Sequence, residues 1–217
     1  MFIFRMLALF HQLIKTDVSV LREYKMRKIV VAAVVLMSMT GTAHASGVRA
    51  EIHGGYDQIR PDSDDRPILG KKISGVVYGI GLGYDYDIGK KVFLGVEGNA
   101  DNTTADKCFG GVGTAADPKL CLKFRRDLSA NVRLGANVGG NSKIYVLGGY
   151  TNLRAKAKTT AGSVIDTDAA NADGVRLGAG IEKGFGSRTY AKIEYRYSNY
   201  EAGLTRNQVL AGFGVRF

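Results

Sequence analysis

The chain has 217 residues, 45% hydrophobic and 23% charged, with 30 Lys/Arg against 20 Asp/Glu and a formal net charge of +10. No stretch reaches 18 consecutive apolar residues, which excludes a membrane-spanning helix, and 29 glycines argue against a protein of long helices. Two cysteines without a neighbouring histidine do not make a zinc constellation, so no metal or other cofactor is expected.

The first element is a leader. Residues 26–45 read Met26, the basic pair Arg27 and Lys28, an apolar run from Ile29 to Met37, and Ala43-His44-Ala45. A charged region, a short hydrophobic region and a small-x-small site in that order are the marks of a secretory signal peptide. The expectation is a signal region over 1–45, with Met26 the true start and cleavage after Ala45. Removing six Lys/Arg and two Asp/Glu leaves 24 basic and 18 acidic residues from Ser46 onward, a net +6. Residues 46–217 are expected to form one domain.

Eight segments then alternate with a period of two, the mark of a β-strand. The first runs from Val48 to Tyr56. The second sets Val76, Tyr78, Ile80, Leu82, Tyr84 and Tyr86 against Gly79, Gly81, Gly83 and Asp85. In the third, Val92, Leu94 and Val96 oppose Gly95, Glu97, Asn99 and Asp101. The fourth sets Leu128 to Val138 against Asp127, Ser129, Asn131, Arg133, Gly135 and Asn137. The fifth, Lys143 to Arg154, is ambiguous in facing, because Ile144-Tyr-Val-Leu147 is apolar on both sides. The sixth opposes Val175, Leu177, Ala179 and Ile181 to Arg176, Gly178, Gly180 and Glu182. The seventh pairs Ala191, Ile193, Tyr195 and Tyr197 with Lys192, Glu194, Arg196 and Ser198. The eighth, Val209 to Phe217, ends on a bare aromatic.

Short connections at 87–91, 139–142 and 184–188 alternate with longer ones at 59–73, 101–122 and 155–173 and a shorter one near 199–204. Strands of roughly ten residues suit a tilted membrane crossing, and brief turns at one end with longer loops at the other are the layout of a barrel in lipid. All three prolines fall in the long loops, where no ladder hydrogen bond is lost. The second face of each strand is small and charged together, which suits an eight-stranded interior just wide enough to be filled by side chains. The expected fold is all-β: an eight-stranded antiparallel up-and-down transmembrane β-barrel, with Glu97, Arg133, Arg176, Glu182, Glu194, Arg196 and Arg216 as interior charges. Such charges serve either as a salt-bridged plug or as an ion path, and the plug is the expected reading. Cys108 and Cys121, 13 positions apart in a Gly/Asp/Pro-containing stretch of an exported chain, are expected to close a loop by a disulfide.

The leader, the eight strands, the motif Glu194-Tyr-Arg-Tyr-Ser198 and the end Ala211-Gly-Phe-Gly-Val-Arg-Phe217 together resemble the small outer-membrane β-barrel family, which groups OmpA-type transmembrane domains with opacity-like surface antigens. The resemblance implies a cell outer-membrane location, and recognition of Phe213, Val215 and Phe217 by the barrel-assembly machinery. The chain departs from full-length OmpA in ending at the barrel, so no wall-tethering role is expected. Some small barrels hydrolyse lipid A acyl chains with a His-x-Ser-Asn arrangement. Here Arg196-Tyr-Ser198-Asn199 has arginine in place of the base, and arginine cannot accept a proton.

The expected function is therefore non-enzymatic: an envelope-structural, surface-exposed, adhesin- or antigen-like barrel, monomeric. The alternatives are a narrow porin-like channel and, less favoured, a lipid A-modifying enzyme. Nucleic acid is excluded as a partner by export. The anionic outer leaflet is the better match for the positive charge, and Arg126 with Arg154 are the expected contacts to lipopolysaccharide phosphate. A host or surface ligand is expected at the loops. Asp62, Asp64 and Asp65 lack the later glutamate of a calcium loop.

Overall fold

A computed structural model describes residues 47–61, 72–201 and 203–217; the expected leader and the acidic run at Asp62–Asp65 lie outside them. The described residues form nine antiparallel strands: β1 (Gly47–Pro61), β2 (Ile73–Ile88), β3 (Val92–Thr103), β4 (Asp106–Gly110), β5 (Lys119–Gly139), β6 (Ser142–Ala161), β7 (Val164–Phe185), β8 (Thr189–Tyr200) and β9 (Leu204–Arg216). Each pairs with its neighbour in sequence, except that β3 pairs with β5. β1 pairs with β9 over the span from Arg49↔Arg216 to Pro61↔Leu204. Eight strands therefore close into a ring. The ninth, β4, continues β3 beyond it and pairs with the far end of β5.

The alternation read from the sequence decides which side chain goes where. Ile52, Ile80, Leu82, Val146, Leu177, Ile181 and Ile193 stand outward and exposed. A continuous apolar belt of this size would be untenable in water and is what lipid requires. Tyr56, Tyr78, Tyr150, Tyr195 and Tyr197 border the belt on one side and Tyr84 and Tyr86 on the other, all outward. The three short turns form where expected. Gly140 and Asn141 both hold positive φ, 55° and 57°, the pairing a tight hairpin demands and that Gly and Asn tolerate best.

One expectation is corrected. The segments at 101–122 and 155–173 are mostly strand, with only residues 104–105, 111–118 and the turn at 162–163 outside β3–β7. β5, β6 and β7 run for 21, 20 and 22 residues, about twice a membrane crossing, and with β4 they raise a four-stranded sheet above the ring. The expected disulfide forms: Cys108 and Cys121 oppose each other directly across β4 and β5, so the bond fastens two strands of that sheet and closes the stretch 111–118 between them. The facing of the fifth segment is also resolved. Ile144 and Val146 face outward, while Tyr145 and Leu147 turn in and pack with Phe93.

Candidate functional site

The lumen is filled by charge. Reading from the turn end, Arg216 pairs with Glu182, and Glu182 with Arg133. Arg133 reaches Glu97 at 3.6 Å, and Glu97 meets Arg49 at 2.5 Å. Arg49 bonds Glu51 at 3.0 Å, Glu51 bonds Lys192 at 2.5 Å, and Lys192 bonds Glu194 at 3.1 Å. Glu194 pairs with Arg196, which holds Asp101 at 3.0 Å, and Asp101 is 3.9 Å from Arg176. Arg176 pairs with Asp127, and Arg206 joins Asp127 at 2.5 Å to Asp57 at 2.7 Å. The result is a single ladder of strictly alternating sign along the barrel axis. Each ion is flanked by its opposite, which is how buried charge is made tolerable.

All seven interior charges named from the sequence lie on this ladder. Missing from that set were Arg49, Glu51, Asp57 and Arg206, together with Asp101, Asp127 and Lys192, which the alternation places on the polar strand faces but which were not among the expected interior charges. The first three sit on the odd positions of β1, opposite its apolar face, and alternation alone would have found them. Arg206 precedes the expected start of the last strand, which begins five residues earlier than Val209. His53 lies inside too, its Nε2 at 2.7 Å from Asp101. Ser198 is buried in the lumen and accepts a hydrogen bond from Arg176 Nε at 2.9 Å.

Over the ladder, at the tall end, Ile59, Ile73, Ala105, Phe124, Leu153, Ala172 and Tyr200 form an apolar cluster, with Phe109, Ala155 and Leu204 packed against it. The interior is thus ionic at membrane depth and closed above by a hydrophobic cap.

The outer face of the projecting sheet is basic. The ladder register between β5 and β6 breaks between Phe124 and Asp127, so that Arg125 and Arg126 stand against the single residue Arg154. This is a β-bulge, two residues opposing one. It brings the two arginines singled out from the sequence to one place. Arg126 and Arg154 are both exposed, and Arg126 Nη2 donates to Asn152 Oδ1 at 3.2 Å. Asn152 and Tyr150 both donate to Asp173, at 2.5 and 2.6 Å. Beyond the bulge, Lys123 lies directly opposite Lys156, and Lys158 follows two residues on. Like charges placed directly opposite oppose pairing. Among the described residues, no carboxylate comes within 4.0 Å of Lys119, Lys123, Arg126, Arg154, Lys156 or Lys158. Phe213, Val215 and Phe217 share the outward face of β9, and Phe217 N–H donates to Val48 C=O at 2.9 Å, beside the start of β1.

Comparison with known proteins places this geometry. Solved structures with the same fold include Ail, the attachment invasion locus protein of Yersinia pestis, in complex with the heparin analogue sucrose octasulfate (18% identity, TM-score 0.50, covering 79% of this chain and 99% of that one). Neisserial surface protein A matches at 15% identity and TM-score 0.50, covering 80% of this chain and 100% of that one. A major outer membrane protein from Thermus thermophilus matches at 11% identity and TM-score 0.52, covering 80% and 100%. A search of curated proteins finds no match. The family model for the outer membrane protein beta-barrel domain matches residues 29–217, and with the closed ring and lipid-facing belt, the chain belongs to that family and resides in the outer membrane.

Proposed function

We propose that the protein is a non-enzymatic, monomeric outer-membrane barrel that anchors lipopolysaccharide through the basic face of its external sheet and displays that sheet as an adhesin- or antigen-like surface. The observation that carries this reading is the cluster of exposed cations without carboxylate partners on β5 and β6, centred on Arg126 and Arg154 at the bulge. Its position just beyond the apolar belt is the depth at which lipid phosphates lie. A guanidinium matches a phosphate with two parallel N–H···O bonds, which makes arginine the residue suited to this contact. Lys123 stands between Lys156 on β6 and Asp106 on β4, and a bound anion would relieve the repulsion of the like-charge pair. Phe213, Val215 and Phe217 complete the reading as the segment recognised by the barrel-assembly machinery.

The test is binding of purified short-chain lipopolysaccharide to the protein in nanodiscs of neutral phospholipid. Converting both Arg126 and Arg154 to Glu should weaken binding at least tenfold and leave the barrel folded. Unchanged affinity would overturn the contact. A strain lacking the protein should be more sensitive to detergent, and the double variant should fail to restore resistance.

A further inference from the structure

The Cys108–Cys121 bond lies on the outer face of the projecting sheet. Phe109 and Phe124 turn toward the apolar cap, and side chains alternate along a strand, so Cys108, Cys121 and Lys123 point the other way. Cys108 is exposed and Cys121 half-buried. The two sulfurs have unequal surroundings. Cys121 stands directly opposite Lys158 on β6, and Lys119 and Lys123 flank it two residues away on the same face of β5. Among the described residues, no carboxylate comes within 4.0 Å of these three lysines. Cys108 is flanked on the same face of β4 by Asp106 and Gly110, with no cation of its own strand beside it.

We propose that this bond is an exchange site for small thiols that carry carboxylates, such as glutathione, and that Cys108 is the sulfur attacked. The incoming thiolate forms a bond to Cys108 Sγ, the Cys108–Cys121 bond breaks, and its electron pair leaves on Cys121 Sγ as a thiolate. One thiolate is consumed and one is formed, so the step needs no separate oxidant or reductant. A cation beside a cysteine stabilises its thiolate, and the more stable thiolate leaves faster. Lys119, Lys123 and Lys158 therefore favour departure of Cys121 and also draw in the carboxylates of the attacking thiol. Attack on Cys121 would instead leave the negative charge on Cys108, beside Asp106. The product is a mixed disulfide on Cys108. Because β4 pairs only with β5, exchange leaves this five-residue strand held by hydrogen bonds alone. The chemistry is independent of lipid binding.

The experiment exposes the full protein, in detergent micelles at low salt and without lipopolysaccharide, to reduced glutathione. Free thiols are alkylated at early times, and intact mass and peptide maps are read. One glutathione on Cys108 with Cys121 alkylated is expected. At equal thiolate concentration cysteamine, whose ammonium the lysines repel, should react about fivefold more slowly, and high salt should remove the difference. The Lys119→Glu, Lys158→Glu variant should slow glutathione about fivefold and leave cysteamine no slower. Equal rates for the two thiols at low salt, glutathione chiefly on Cys121, or no adduct on the folded barrel would each overturn the proposal. The comparison of two thiols on the unaltered protein decides the matter if the variant does not fold.

Discussion

Gly83 and Arg49 show how tightly residue choice is set inside the ring. A Cβ built on Gly83 would fall 2.7 Å from Arg49 Nη2, and one on Gly81 would fall 2.9 Å from Glu51 Cγ. The small face of β2 is thus the space into which the long side chains of β1 lie. Gly83→Val should destabilise the barrel by about 1–3 kcal/mol through overpacking, read as a lower midpoint of chemical unfolding in detergent. Arg206→Ala should cost more, about 3–5 kcal/mol, because Asp57 and Asp127 would each lose a buried counter-charge. The same measurement separates the two. A smaller loss for Arg206→Ala than for Gly83→Val would contradict the ladder. At this scale the sequence was highly legible wherever apolar and polar residues alternate. Tyr145 and Leu147 were opaque because both faces of β6 are apolar there, and only contact with Phe93 tells the inner from the outer.

Among the elements, the membrane-depth strands were readable and the sheet above them was not. Residues 155–173 contain mostly Ala, Thr, Asp, Lys and Asn, so neither face carries the apolar period that marks a strand. What makes them strands is propagation of the β6–β7 ladder past the lipid, an effect of pairing rather than of local composition. β4 is five residues long and held by one partner, a marginal element on its own. The Cys108–Cys121 bond compensates. A loop of this size gains roughly 3 kcal/mol in the chain-entropy model. Replacing both cysteines by serine should therefore open residues 106–118 to protease while the ring stays resistant. Cleavage no faster than in the unaltered protein would show that β4 holds without its bond. The bulge at Arg125–Arg126 was equally hidden, since two consecutive arginines look like a solvated rim until the register places them against Arg154.

The described residues combine an ionic interior with an apolar cap, and both layers pack side chains into the lumen. In planar bilayers the monomer should give no stable conductance steps, and truncating the cap at Phe124 and Leu153 to alanine should not create them, because the ladder beneath still fills the lumen. Large steady steps from either protein would contradict this. The height of the sheet has a different consequence. Ten residues of β7 beyond Gly174 rise roughly 33 Å along the strand, or about 25 Å above the membrane when tilted as barrel strands are. With the sheet displayed outward as proposed, a cell coated by sugars shorter than that would leave the tip in open solution. Longer surface chains bury the same tip in a hydrated brush. The availability of this protein to the outside is then governed by its neighbours' glycan length, with no change in its own amount or fold.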